Sequence, residues 1–445
     1  MSKSRQGGSE ASRVRLEEMI TVVQLYRGWT QRQVAEALNR NVHALVPDSG
    51  NPKLDLVVKL SSILDWPIEM VVSDLREAEL DAARGERAAK GGGAASDSGP
   101  MVLDPESPDP RSIDPKTLIR QAWEGCEAER WDDVLGLTEP ERLEGLDGES
   151  RGWMMYYRQV ALESRGQYIA AIECCQTGLE AVGHESEAAW RLRTALAYLL
   201  LVIGSVTEAD GVSLAVISEL SALPRSSPRR ERLAFAHYVR GLSRRLLALR
   251  GSEASSALLD QAQAHLREAS EILDDYGAYG GSARNAAVAR TARCVAREID
   301  VLAGRLPPVE IVDEVLSSLD CGTAVTSLDS NEAESIGWRC IIAARVVLAF
   351  PEKVVNPERV LAILTNKADE VAERLGHWGL RERLFAIEHL HRVLVEATGE
   401  DVPSWNLDEQ DVRTLLGTMG RFPRFRRIGW KILAAARQER REGES

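Results

Sequence analysis

The chain has 445 residues, a formal net charge of −13, 44% hydrophobic and 28% charged residues, and only 5% aromatic residues. A single core seldom grows past ~250 to 300 residues, so this length implies two or three domains. The composition is that of a globular, helix-favouring chain; its acidity excludes indiscriminate nucleic-acid binding, and no apolar run reaches the ~20 residues of a membrane span.

The longest apolar run is LAYLLLVI, residues 196 to 203, and the opening MSKSRQGGSE has no apolar signal region, so a cytoplasmic location is expected. Six cysteines (Cys126, Cys174, Cys175, Cys294, Cys321 and Cys340) are scattered without a Cys-x-x-Cys pair. They read as reduced thiols, mostly core filler.

In chain order, Val14, Leu16, Met19, Ile20, Val23 and Leu25 give a first amphipathic helix. The stretch GWTQRQVAEAL, residues 28 to 38, places Val34, Ala35 and Leu38 on one face of a second, with Thr30 as its N-cap. Leu54, Val57, Val58, Leu60, Ile63 and Leu64 mark a later helix, and DWPIEMVVSDL opens another in which Asp65 or Trp66 caps and Pro67 suits the first turn.

These landmarks over residues 14 to 75 resemble the Cro-type repressor helix-turn-helix, often called the Xre family, in GWTQRQVAEAL, GNPKLDLVVKL and LDWPIEMV taken in that order. The resemblance implies a five-helix domain over residues 13–76. By family position Thr30 and Gln31, beside Arg32, meet DNA phosphate at a helix N-terminus. The turn and recognition helix fall between Leu38 and Pro52, about three residues short of the family's usual pattern. Asn39 stands at the turn glycine and can take its left-handed conformation. Pro47 stops the helix early, leaving about NVHALV. Asn41 and His43, with Arg40 beside them, are the candidate base readers, and Lys53 is a further phosphate candidate. Residues 13–76 hold eight Lys/Arg against eight Asp/Glu, which supplies little of the phosphate attraction that DNA affinity needs. Two readings stay open: retained DNA recognition, or a degenerate module used for protein contacts.

Residues 77–115 are rich in Gly, Ser, Pro and Asp and read as a flexible linker, spanning roughly 30 to 40 Å by square-root scaling. Beyond it, apolar residues recur three and four apart, so residues 116–420 are expected to be all helix and the whole chain all-α. Three segments share one template, with Trp131, Tyr168 and Val206 equivalent at spacings of 37 and 38 residues. A period of this size marks a stacked helical array. Over residues 117 to 225 the template resembles the tetratricopeptide repeat, whose glycine, aromatic and alanine positions are met by Gly166, Tyr168 and Ala171. The departures are Arg158 and Gln159 in a first helix, and a period above the family's usual ~34. The competing reading is a generic helical bundle. The resemblance places Trp153, Tyr156, Val160 and Glu163 on the inner face of such an array, where a peptide or protein partner docks; core packing explains Trp153 equally well.

Residues 421–445 are read as a basic C-terminal helix and tail, with eight Lys/Arg and one Glu between 421 and 441. Arg421, Arg424, Arg426 and Arg427 interleave with Phe422, Phe425 and Trp430, a pattern that suits phosphate and base contacts, an anionic surface, or a solvated cap on a last helix.

Chemistry is sparse. Glu388, His389 and His391 alternate in EHLHR, a spacing that does not put metal ligands on one helix face. No phosphate-cradling loop, serine elbow or zinc helix motif occurs, so no enzyme, metal or cofactor is expected. The leading expectation is a DNA-binding transcription regulator whose array mediates dimerisation or senses a ligand; the alternative is a non-enzymatic scaffold with a degenerate helix-turn-helix. The arrangement resembles the peptide-responsive quorum regulators, which implies coupling between ligand binding and the spacing of two heads. A homodimer is expected because one short head binds weakly and half-sites lie about one helical turn apart.

Overall fold

In the computed structural model every regular element among the described residues is a helix, as the sequence predicts. The described residues are 12–21, 23–24, 29–47, 52–64, 66, 68, 71–72, 74–76, 114–222, 227–250, 255–277, 282–319, 325–399, 404–405, 407–422 and 424–443. The chain divides into two compact units, Met1–Asp109 together with Pro403–Ser445, and Pro110–Val402.

The N-terminal part of the first unit begins with helical residues 12–21 and 23–24, which bury Leu16, Met19, Ile20 and Val23. Helix α1, Gln31–Leu38, buries Val34, Ala35 and Leu38. It ends at Asn39, left-handed at φ 52° and ψ 52°, and the next amide, Arg40 N–H, donates to Ala35 O at 2.8 Å. Lys59 reaches back to donate to Leu38 O at 3.2 Å, satisfying one of the carbonyls a helix leaves open at its end. A three-residue 3₁₀ turn, Val42–Ala44, follows, then α2, Leu54–Leu64. Trp66 is pinned to α2, since its N–H donates to Ser61 O at 3.0 Å and Ser61 Oγ donates to Trp66 O at 2.7 Å.

The second unit is a run of helix pairs. They are α3 Pro115–Glu127, α4 Trp131–Leu137, α5 Gly148–Ser164, α6 Tyr168–Ala181, α7 Glu187–Val202, α8 Val206–Ala222, α9 Ser227–Ala248, α10 Ser256–Gly277, α11 Ala283–Leu302, α12 Pro308–Leu319, α13 Ser330–Ala349, α14 Pro357–Leu375 and α15 Trp378–Thr398. Of the expected linker, residues 77–113 lie outside the described ones; Asp114 already caps α3. Trp131, Tyr168 and Val206, equivalent in the sequence template, each open the second helix of a pair.

One turn joins these pairs. Glu129, Gly166 and Gly204 take positive φ (54°, 71° and 88°) two residues before the second helix. The following amides of Arg130, Gln167 and Ser205 donate to Gly125 O, Leu162 O and Leu200 O at 2.9, 2.8 and 2.8 Å, the bond that closes a helix on a left-handed residue. The same closing bond on a left-handed glycine occurs beyond residue 225, at Gly304 four residues before α12 and at Gly376 between α14 and α15, where Arg305 and His377 N–H donate to Asp300 O and Ala372 O at 2.7 and 2.9 Å. Arg158, a departure from the family pattern, donates to Leu135 O and Thr138 O at 3.3 and 3.0 Å and so caps α4. Within the unit, each first helix from α3 to α13 packs on its own second helix and on the next first helix, so α3, α5, α7, α9, α11, α13 and the unpaired α15 form one continuous layer.

The C-terminal part of the first unit holds α16, Glu409–Arg421, and α17, Arg426–Gly443. The sequence reading closes the array at residue 420 and leaves 421–445 as a separate tail; the structure joins everything from Pro403 onward to the N-terminal part. The reason is hydrophobic. Phe422, Phe425, Ile432 and Leu433 are buried, and Trp430 meets Trp66 edge to face with centroids 6.5 Å apart. Gly420 is required there, because a Cβ would lie 2.8 Å from Trp66 Cδ1. Arg15 stacks over Trp430 at 4.7 Å. Arg426, 1% exposed, forms a 2.6 Å ion pair with the equally buried Asp74 and donates to Met419 O at 3.1 Å.

Candidate functional site

At the head, Thr30 and Gln33 complete a capping box. Thr30 Oγ1 accepts from Gln33 N–H at 3.3 Å and Gln33 Oε1 accepts from Thr30 N–H at 2.8 Å. Two end groups of α1 are thus satisfied within the chain, while Gln31 and Arg32 stay exposed on its first turn. Arg32 pairs with Glu36 at 3.3 Å, with both side chains largely in water, an interaction worth a few tenths of a kcal/mol. Lys53 is exposed just before α2, and Asn41 is exposed at the start of the 3₁₀ turn.

The reading helix expected over NVHALV is shorter in the structure. Helical geometry covers Val42–Ala44 alone, in the tighter 3₁₀ form, with Leu45 buried and Arg40 and Pro47 half-buried. Pro47 and the buried Leu45 side chain account for this: the first removes a donor, and the second turns the segment toward the core. The His43 side chain and residues 48–51 lie outside the described ones.

In the array, the sequence-predicted Trp153, Tyr156, Val160 and Glu163 all lie on α5, in the continuous layer of first helices. Trp153 stacks on Tyr157 with centroids 5.9 Å apart and meets Tyr156 edge-on at 6.1 Å. From α7, Arg191 lies over Trp153 and Tyr156 at 5.3 and 5.6 Å and pairs with Glu187 at 2.8 Å. From α9, Arg232 pairs with Glu231 at 2.6 Å and lies over Phe235, which Arg284 of α11 also covers at 5.5 Å. From α13, Glu334 accepts from Trp338 Nε1 at 3.1 Å. His377 caps α15, its Nδ1 accepting from Leu380 N–H at 3.2 Å. That leaves its Nε2 as the protonated nitrogen facing Glu334 Oε1 at 3.3 Å.

These groups act on one another electrostatically. Burial first, then Glu334, raises the pKa of Glu163, against Arg284 and the Gln159 amide. Burial would also raise that of Glu334, but the hydrogen bond and charge of His377, with Trp338 and Arg284, hold it below the usual carboxylate range. Burial opposes the charge of Arg284; Tyr156, Glu163, Glu334 and Glu231 outweigh it and raise its pKa. Tyr198 of α7 is pushed well up by burial and then by Glu334 and Glu163. The layer must therefore be strongly curved. A flat layer with helices ~9 Å apart would set α5 and α15 about 45 Å from each other, yet His377 and Glu163 interact.

The sequence reading missed Arg191, Glu231, Arg284, Glu334 and His377. Projecting the α5 face onto later first helices would have found the first two. The insertion near residue 250 breaks the register before the others.

Among the described residues no group of three or more His, Cys, Asp or Glu could hold a metal ion, and no helix is long and apolar enough to cross a membrane. His391 of EHLHR pairs with Glu358 at 3.0 Å.

No protein family and no curated protein matches the chain. Among solved structures it is similar to the crystal structure of Bacillus thuringiensis PlcR in complex with the peptide PapR7 and DNA, at 14% identity, over 83% of this chain and 98% of that one, with a TM-score of 0.33.

Proposed function

We propose that the chain is a DNA-binding transcription regulator in which the N-terminal head contacts duplex DNA and the inner face of the array binds a peptide or protein partner. The observation that carries the reading is the inner face itself: aromatic and charged side chains from α5, α7, α9, α11, α13 and α15 converge on one curved surface, the kind of surface on which helical arrays hold extended ligands. At the head, Gln31, Arg32, Asn41 and Lys53 are exposed on the segments that the helix-turn-helix resemblance assigns to DNA. Two copies acting as a homodimer in the cytoplasm complete the reading.

The test is selection from random duplex DNA with the full-length protein, followed by salt titration. The expected result is an enriched motif whose binding weakens on Gln31→Ala and Arg40→Ala, with the log–log salt slope falling by ~1 for each phosphate that is no longer neutralised. No enriched motif, with weak binding indifferent to both substitutions, overturns it.

One observation favours a second reading, a protein-binding scaffold with a degenerate head: the place of the recognition helix is taken by the short Val42–Ala44 turn. The same selection separates the two, since a scaffold enriches no sequence.

A further inference from the structure

On the inner face, Glu163 of α5 lies within electrostatic reach of Glu334 of α13, and Gln159 of α5 is hydrogen-bonded to Glu163. Their hydrogen bonding is unequal. Glu334 already accepts from Trp338 and His377, whereas Glu163 accepts from the Gln159 amide nitrogen. Gln159 is fully buried, and with its Nε2 engaged on Glu163 its Oε1 has no hydrogen-bond partner among the described residues. A buried acceptor without a donor is destabilising, and a ligand carrying N–H groups relieves it.

The charge at this place points the same way. Two carboxylates meet the His377 imidazole, already hydrogen-bonded to Glu334, and one nearby guanidinium, Arg284, which lies over Phe235 and makes no ion pair within 4 Å among the described residues. An anionic ligand adds a third negative charge; a cationic one relieves the first two. The rings of Tyr168, Tyr198 and Tyr238 belong to the same electrostatic cluster, and aromatic faces favour a cation.

Building on the reading that the inner face binds a ligand, we infer that Gln159, Glu163 and Glu334, bordered by Tyr168, Tyr198 and Tyr238, form a subsite for a cationic donor group, a primary ammonium or guanidinium. The Gln159 oxygen and the Glu163 carboxylate take its N–H groups, and Glu334 supplies charge from the opposite helix.

The experiment uses the full-length protein with three probes followed by calorimetry and tryptophan fluorescence: heptapeptide pools with one fixed Lys or Arg, matched pools with one fixed Asp or Glu, and spermidine. Each peptide pool is made with a free and an acetylated N-terminus. The basic pools are expected to bind at least about tenfold tighter than the acidic ones, an advantage lost in Glu163→Gln and reduced in Gln159→Leu. Survival of the advantage after acetylation assigns the cation to a side chain, its loss assigns it to the N-terminus, and spermidine binding with no peptide binding assigns it to a free amine; each supports the subsite. Glu163→Gln is isosteric and removes a repulsion, so a melting temperature at or above the parent separates lost binding from lost fold. Preference for the acidic pools, abolished by Arg284→Ala and untouched by Glu163→Gln, overturns the inference while leaving a ligand-binding inner face intact. Binding indifferent to charge does the same. Absence of saturable binding by any probe overturns the inference together with the sensing half of the proposed function.

Discussion

Substituting Asp74 tests whether the two ends of the chain fold as one head. Asp74 and Arg426 have side chains only 2% and 1% exposed and meet at 2.6 Å. Asp74→Asn keeps the shape but removes the carboxylate charge that faces Arg426, while the Met419 carbonyl still accepts from the guanidinium at 3.1 Å. At an effective dielectric of ~20 and a charge separation near ~4 Å, the attraction removed is about 4 kcal/mol. This agrees with the ~3 to 5 kcal/mol typical when one partner of a buried pair is removed. The double variant Asp74→Leu, Arg426→Met replaces both charges by apolar groups and is expected within ~1 kcal/mol of the parent or above it. Hydrogen exchange with mass spectrometry on the full-length chain reads the effect segment by segment. Asp74→Asn should cut protection in peptides over residues 56–76 and 409–433 together, by about three powers of ten, and leave α5 to α15 unchanged. Two outcomes refute the reasoning: a cost under ~1 kcal/mol, or reduced protection at the C-terminal segment with the N-terminal one untouched.

Three further effects follow. His237 and His265 share a hydrogen bond between their Nδ1 atoms at 2.9 Å, and burial lowers both pKa values to about 4, aided for His237 by the charge of His265 and for His265 by Arg240 and Arg244. Because the folded values lie below the unfolded ~6.5, the unfolded chain takes up protons first. Stability should therefore be full above pH ~6.5 and decline toward pH ~4, and His265→Gln should flatten that decline in melts run across the range. Glu129 holds at φ 54° a turn that glycine holds in the equivalent positions 166 and 204, so Glu129→Gly should raise stability by about 1 kcal/mol in urea unfolding. Gly178 of α6 has no room for a side chain: a Cβ would lie 2.9 Å from Met155 Cβ and 2.8 Å from Leu192 Cδ1. Despite the better helix propensity of alanine, Gly178→Ala should destabilise by ~1 to 2 kcal/mol, measured in the same assay.

Much of this architecture was legible in the sequence, because period and punctuation are local. The spacing of Trp131, Tyr168 and Val206 set helix starts that the structure reproduces, and Thr30 and Asn39 carried their cap and turn in their own chemistry. The turn before Trp131 is harder to read than the other two for a plain reason: Glu129 performs a glycine's task, and residue type hides the conformation. What the sequence could not reveal were pairings between distant residues. Asp74 and Arg426 stand 352 positions apart, and nothing in either neighbourhood says they meet. The inner face was half legible for the same reason. Trp153, Tyr156 and Glu163 share one helix, but Arg284, Glu334 and His377 reach them through curvature accumulated over several pairs.

The C-terminal segment shows how composition misleads when burial is unknown. Its alternation of arginine and phenylalanine suits stacking on bases, yet Phe422 and Phe425 are 5% and 1% exposed and Arg426 is spent on Asp74. Among the described side chains, the cations that face water are Arg424, Arg427 and Lys431, without an exposed aromatic residue between them. The segment's first task is thus to complete the head's core, with α17 packing its Trp430 against Trp66 and Arg15. Because the array is inserted between the two parts of this one core, the array is tied to the head through both of its chain ends.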